Sequence, residues 1–279
     1  MSFSLRPDAL AGRRLAISAS QSPDASRSVC GDEDGVRLTL RHIARAVLAA
    51  GGHLAYGGNL APGGFTPLLV EEAGWSGRED QPLVVTVPWS EHRRMSLAEL
   101  RTALDAGPAV RVVWLDVAGR EVDPAAGRGA APEEVDPHTT ATALHAMRRH
   151  VRDRCDGRVL VGGRRSGFSG SLPGVLEEAM LSLEGSPQPL YSAAGFGGVA
   201  ADVARALRID DSSWLPHEHG AADPRLAEGL DRLRVRVREL GGSALTNGLS
   251  PEENRRLAVS VDPSEIAALV TLGLARAAS

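Results

Sequence analysis

The stretch from Leu160 to Ala179 reads L-V-G-G-R-R-S-G-F-S-G-S-L-P-G-V-L-E-E-A, an apolar run that passes through glycines and two arginines into a helix start. Its residue types suit an anion, and phosphate above all. A helix start offers N–H groups without intrahelical partners and the positive end of a dipole. Gly162, Gly163, Gly167 and Gly174 let backbone approach a ligand closely, and Arg164 and Arg165 add fixed charge in forked hydrogen-bond geometry. Pro173 suits the first helical turn. Glu177 and Glu178 follow, acids of the kind a helix dipole favours in a first turn.

Two more glycine clusters stand at comparable positions. Tyr56-Gly57-Gly58-Asn59 with Pro62-Gly63-Gly64-Phe65-Thr66-Pro67 follows the short strand His53 to Tyr56, and Gly195-Phe196-Gly197-Gly198 follows Leu190 to Ala194. Any one of them is also what a plain tight turn needs. Three at one edge of one sheet point further, because open α/β sheets bind ligands beyond the carboxyl ends of their strands. The candidate ligand contacts are therefore Ser18, Ser20, Gly58, Asn59, Gly63, Gly64, Phe65, Thr66, Gly162, Gly163, Arg164, Arg165, Gly167, Gly174, Glu177, Gly195, Phe196, Gly197 and Gly198.

The elements that must position them alternate along the chain. Strands are expected at Leu15 to Ala19, His53 to Tyr56, Leu83 to Val87, Val110 to Val117, Val159 to Val161 and Leu190 to Ala194. Helical stripes fall at Leu40, Ile43, Ala44, Val47 and Leu48, at Ala141, Leu144, Met147, Val151 and Cys155, and at Val199, Val203, Ala206 and Leu207. The pattern predicts a doubly wound, mostly parallel Rossmann-like α/β sheet over residues 1–220, with an Ala/Pro/Gly/Glu-rich surface loop between Gly119 and Pro137. Residues 221–279 read as a helical extension packed on that domain or forming a dimer interface. Leu226, Leu230, Leu233, Val237 and Leu240 make its stripe, and Ser250-Pro251-Glu252-Glu253 and Asp262-Pro263-Ser264-Glu265 start two further helices.

Composition narrows the function. The chain has 279 residues, a net charge of −4 and only 4% aromatics, which disfavours general nucleic-acid binding. All 31 basic residues are arginine, so Schiff-base lysine chemistry and Walker-type or kinase-type phosphoryl transfer are excluded. Cys30 and Cys155 have neither metal nor redox spacing, which fits a reducing cytoplasm. His217-Glu218-His219 is the one tight histidine pair and could hold a metal only with ligands from elsewhere, so no metal site is assigned. No signal pattern and no apolar run near about 18 residues occurs, so secretion and membrane spanning are not expected.

The order Tyr56-Gly57-Gly58, Val161-Gly162-Gly163-Arg164, Gly170, Pro173-Gly174-Val175-Leu176-Glu177-Glu178 and Gly195-Phe196-Gly197-Gly198 resembles the SLOG superfamily, Rossmann-like domains related to the LOG cytokinin-activating enzymes and to DprA-type proteins. That superfamily includes the sensor domains of the Thoeris defence effector and of TRPM channels. The segment Asn247 to Leu257 also resembles the closing helices of stand-alone or TIR-associated prokaryotic members. The resemblance implies a pocket for a nucleotide or an NAD-derived ligand such as ADP-ribose, no required cofactor, and a role as a cytosolic sensor or signalling protein. The expected partners are the small-molecule nucleotide, a homo-oligomer and a TIR-type or other effector. It also implies an alternative, LOG-like hydrolysis of a nucleotide N-glycosidic bond. In the LOG signature P-G-G-x-G-T-x-x-E, Gly162, Gly163 and Gly174 match the phosphate-binding glycines and Glu178 the catalytic glutamate, which makes Glu178 the candidate catalytic residue that the resemblance implies, acting against the ribose. Here the segment Arg164 to Leu172, with Pro173, interrupts that signature, and Val175 stands at its threonine. The arginine partner such enzymes carry on an earlier helix has Arg93 or Arg94 as candidates. A third reading is a scaffold that acts through protein contacts alone.

Overall fold

The computed structural model describes residues 6–20, 33–58, 60, 63–104, 107–209 and 223–277. Six strands form one sheet: β1 (Arg14–Ser20), β2 (His53–Gly57), β3 (Leu83–Val87), β4 (Val110–Trp114), β5 (Gly157–Gly162) and β6 (Leu190–Ala193). Their order is β4-β3-β2-β1-β5-β6, and every pairing is parallel. The chain winds outward from β1 to β4, then crosses back to lay β5 on the other side of β1. That reversal makes the carboxyl ends of β1 and β5 the topological switch point of the sheet.

Strand alternation assigns the two faces. Leu15 and Ile17 of β1 and Val159 and Val161 of β5 join the core formed with α1 (Glu33–Ala49), α2 (Thr66–Trp75) and α10 (Pro263–Ala277). On the other face, small Ala16 and Ala55 sit beneath Met147 and Val151 of α5 (Pro137–Arg152). Leu160 of β5 packs there with α6 (Gly174–Ser182), α7 (Gly198–Ala206) and α8 (Pro224–Leu240). The closing helices are thus part of both cores: α10 lies along α1, and α9 (Pro251–Val259) packs on β6. Ser250 and Glu253 form the reciprocal cap that their spacing predicts. Cys155 is buried, which pushes its thiol up to about 12 and makes it a packing residue.

Two stretches differ from the sequence reading. The strand expected to run to Val117 ends at Trp114, because Asp116 Oδ1 accepts from the N–H groups of Ala118 and Arg120 and closes a turn. Two helices that the periodicity did not announce, α3 (Trp89–Arg93) and α4 (Leu97–Leu104), connect β3 to β4. The loop after Gly119 is anchored there, since Arg128 donates to the carbonyls of His92 (2.5 Å), Arg93 (3.3 Å) and Met95.

Candidate functional site

A cavity of about 260 Å³ opens at the switch point. Its lining comes from Ser18, Ala19 and Ser20 of β1, Tyr56, Gly57 and Gly58 at the end of β2, Pro88 and Glu91 after β3, and Leu144, Met147 and Arg148 of α5. Arg164, Gly167, Phe168 and Ser169 of the β5–α6 loop and Gly174, Val175 and Glu178 of α6 close it. The β1 end holds the loop: the Ser20 carbonyl accepts from Gly163 N–H (3.0 Å) and Ser20 Oγ from Arg164 N–H (3.1 Å). Pro173 caps α6 without a side-chain hydrogen bond, so the first N–H groups of that helix are presented at the cavity without a side-chain acceptor.

A buried polar group lies behind the lining residues Ser18 and Glu178. Arg158 of β5, 1% exposed, donates to Ser18 Oγ (2.7 Å) and Ser182 Oγ (3.1 Å), and its guanidinium lies 3.7 Å from the Glu178 carboxylate. Its Nη2 has no hydrogen-bond partner among the described residues. Glu178 is itself 7% exposed. Burial, with the Glu178 charge as a second cause, pushes the Tyr56 phenol above its usual range and keeps it a neutral donor.

The adjacent acids of α6 part company. Glu177 turns away from the Glu178 cavity and borders a second one of about 400 Å³ between α5 and α6, where its carboxylate meets His145 Nδ1 (2.5 Å) and Arg148. Arg148 therefore bridges the two: it lines the first cavity while ion-paired to Glu177 at the second. Gly174 makes room for it, since a Cβ there would lie 2.8 Å from Arg148 Nη2. Arg148 thus stands where the resemblance implied Arg93 or Arg94. Neither of those lines the cavity: Arg93 pairs with Glu133 (2.9 Å) over the Trp89 ring, and Arg94 donates to Thr140 (2.9 Å). A signal existed, because Arg148 stands four positions after Leu144 and three before Val151, a cation inside an apolar stripe.

Of the residues singled out by type and spacing, Ser18, Ser20, Gly58, Arg164, Gly167, Gly174 and Glu178 come together around the cavity. Asn59 and His217-Glu218-His219 lie outside the described residues. Gly63, Gly64, Phe65 and Thr66 are not in the lining; Phe65 and Thr66 are buried at the start of α2, and the Gly64 carbonyl accepts from Arg37 (3.5 Å). Gly162 and Gly163 stand behind the wall, and Arg165 is turned to Asp202 (2.9 Å). Gly195, Phe196, Gly197 and Gly198 are packed: Phe196 is 1% exposed, and a Cβ on Gly195 would lie 2.7 Å from the Val259 carbonyl oxygen. Gly198 has φ +64°, and its Cβ would meet the Gly163 carbonyl oxygen at 2.6 Å. The lining residues Tyr56, Glu91, Arg148 and Phe168 were not among the expected contacts.

Among the described residues no group of three or more His, Cys, Asp or Glu could hold a metal ion, and no helix is long and apolar enough to cross a membrane. An all-parallel doubly wound sheet with a polar cavity at the switch point defines a Rossmann-like α/β protein. Residues 9–257 match the family SLOG cluster2, and the chain belongs to that family. No curated protein and no solved structure matches it.

Proposed function

We propose that the switch-point cavity binds a nucleotide or an NAD-derived ligand of the ADP-ribose type, and that the protein serves as a cytosolic sensor or signalling protein for it. One observation carries this reading: the uncapped start of α6, Arg148 and Arg164 border the same cavity as the hydroxyls of Ser18 and Tyr56 and the carboxylate of Glu178. The first group suits phosphate. The second suits a ribose, whose hydroxyls need acceptors as well as donors. The volume is close to the lower bound of about 300 Å³ common for small-molecule sites. Charge-assisted bonds at about 1.5 to 3 kcal/mol each, with helix-end contributions of about 0.3 to 2 kcal/mol, are of the size needed for the roughly −8 kcal/mol of micromolar binding.

A second reading has its own observation, the buried Glu178 carboxylate in the cavity wall with Arg158 at 3.7 Å. A LOG-like hydrolase would use such an acid, with water adding to the anomeric carbon as the base departs and takes up a proton. Incubation with NAD, ADP-ribose, cyclic ADP-ribose and AMP, followed by thermal shift and by chromatography for released base, separates the two. Stabilisation without turnover supports the sensor. Release that disappears in Glu178→Gln while binding persists supports the hydrolase, and neither signal across the panel rejects both.

A further inference from the structure

The segment Arg164 to Leu172, which interrupts the glycine signature, places Phe168 at the cavity. Phe168 is half-buried, and the Arg225 guanidinium lies over its ring at 4.2 Å from the centroid. Arg225 is fixed in turn. It donates to both carboxylate oxygens of Asp223 (3.0 and 2.7 Å) and to the Gly170 carbonyl (3.0 Å). Asp223 caps α8, and its N–H donates to the Arg165 carbonyl (3.4 Å). The loop is therefore tied at Arg165, Phe168 and Gly170 to the start of α8, and the ring is held from outside.

We propose that Phe168 is the stacking platform for the planar heteroaromatic base of the ligand. This deepens the nucleotide reading and rests on it. Phe168 lines the cavity together with Ser18, Glu178 and the α6 start, whereas Arg225, on its ring, does not, so a base on Phe168 would leave its sugar and phosphate to those polar residues. The other aromatic side chain in the lining, Tyr56, is 8% exposed and belongs to the core beneath the sheet edge. A buried ring offers little face to a base. A π-face accepts any base, so the platform sets a preference for nucleotides over bare sugar phosphates rather than for one base among several.

The test compares AMP with ribose 5-phosphate by calorimetry on wild type, Phe168→Ala, Phe168→Trp and Arg225→Ala. Phe168→Ala should weaken AMP about tenfold and leave ribose 5-phosphate within about twofold. Phe168→Trp should restore AMP binding and report it by fluorescence quenching relative to wild type. Arg225→Ala, which keeps the ring but loosens it, should weaken AMP less than Phe168→Ala does. Equal losses of both ligands in Phe168→Ala, or AMP binding untouched by it, overturn the platform and leave the nucleotide reading standing. Wild-type protein that binds neither ligand rejects that reading, and the platform falls with it.

Discussion

Between β5 and α6 the chain passes through Gly162, Gly163, Gly167, Gly170 and Gly174 and borders a cavity; between β6 and α7 it passes through Gly195, Gly197 and Gly198, and Gly195 and Gly198 are packed against other backbone. Both bends join a buried strand to a helix. They differ in what lies beyond them. The β6–α7 bend is wedged between the carbonyls of Val259 and Ser260 on one side and the β5–α6 bend on the other, so its glycines mark the absence of room. The β5–α6 bend lies beside the reversal of sheet order: its Gly162 and Gly163 are packed against the end of β1 and against α7, but farther along Gly167 has nothing within 4 Å of a Cβ and Gly174 gives room to Arg148. Glycine thus reports a constraint on Cβ without saying whether a ligand or the protein imposes it.

The contrast is tested most severely by Gly198→Ala. The left-handed backbone costs about 1 to 2 kcal/mol and the forced contact with Gly163 about 1 to 3 kcal/mol more, so urea unfolding should show a loss of several kcal/mol. Retained stability would mean that the closed bend is not tightly packed. Next comes the ion pair behind the open bend: Arg158→Met leaves Glu178 without its buried counter-charge and should cost about 3 kcal/mol, with part of the loss recovered in the Arg158→Met/Glu178→Gln double variant. Additive losses would show that the two side chains are uncoupled.

Acid should act away from both bends. Burial lowers His92 and His150 below the ordinary value of 6.5, so below pH 6.5 the unfolded chain takes up protons that the folded chain refuses. Unfolding free energy then falls as pH drops through 6.5 toward the folded-state values, by at most about 1.4 kcal/mol per unit for each group. Urea midpoints at pH 7.5 and 5.5 that coincide would contradict this. The smallest effect belongs to Gly167→Ala. Gly167 has φ +66° but nothing within 4 Å of a Cβ, so about 1 kcal/mol of backbone strain is the whole expected cost. A loss as large as that of Gly198→Ala would erase the distinction between the bends.

Most of the scaffold could be read from side-chain patterning. All six strands lie where short apolar runs stand, and the α5, α7 and α8 stripes and the Ser250 cap fall where the spacing puts them. α3 is five residues long, too short to show a period, and α4 makes little more than two turns, so neither gave a signal. The site was half legible. Ser18, Ser20 and Gly58 follow from strand ends, whereas Phe168 sits in a loop without periodicity. The contrast between Glu177 and Glu178 needs the rotation of α6 against its neighbours.

The amino-acid sequence by itself determined the alternation of strands and helices, the helix starts and the absence of any lysine, because these depend on residue type and on contacts a few positions apart. Tertiary structure alone decided that β5 returns beside β1, that Arg148 rather than Arg93 or Arg94 reaches the cavity, and that one glycine bend opens while the other closes. Those outcomes rest on which distant backbone atoms occupy the space next to a given Cα. That space is filled by residues tens of positions away, and no local pattern records it.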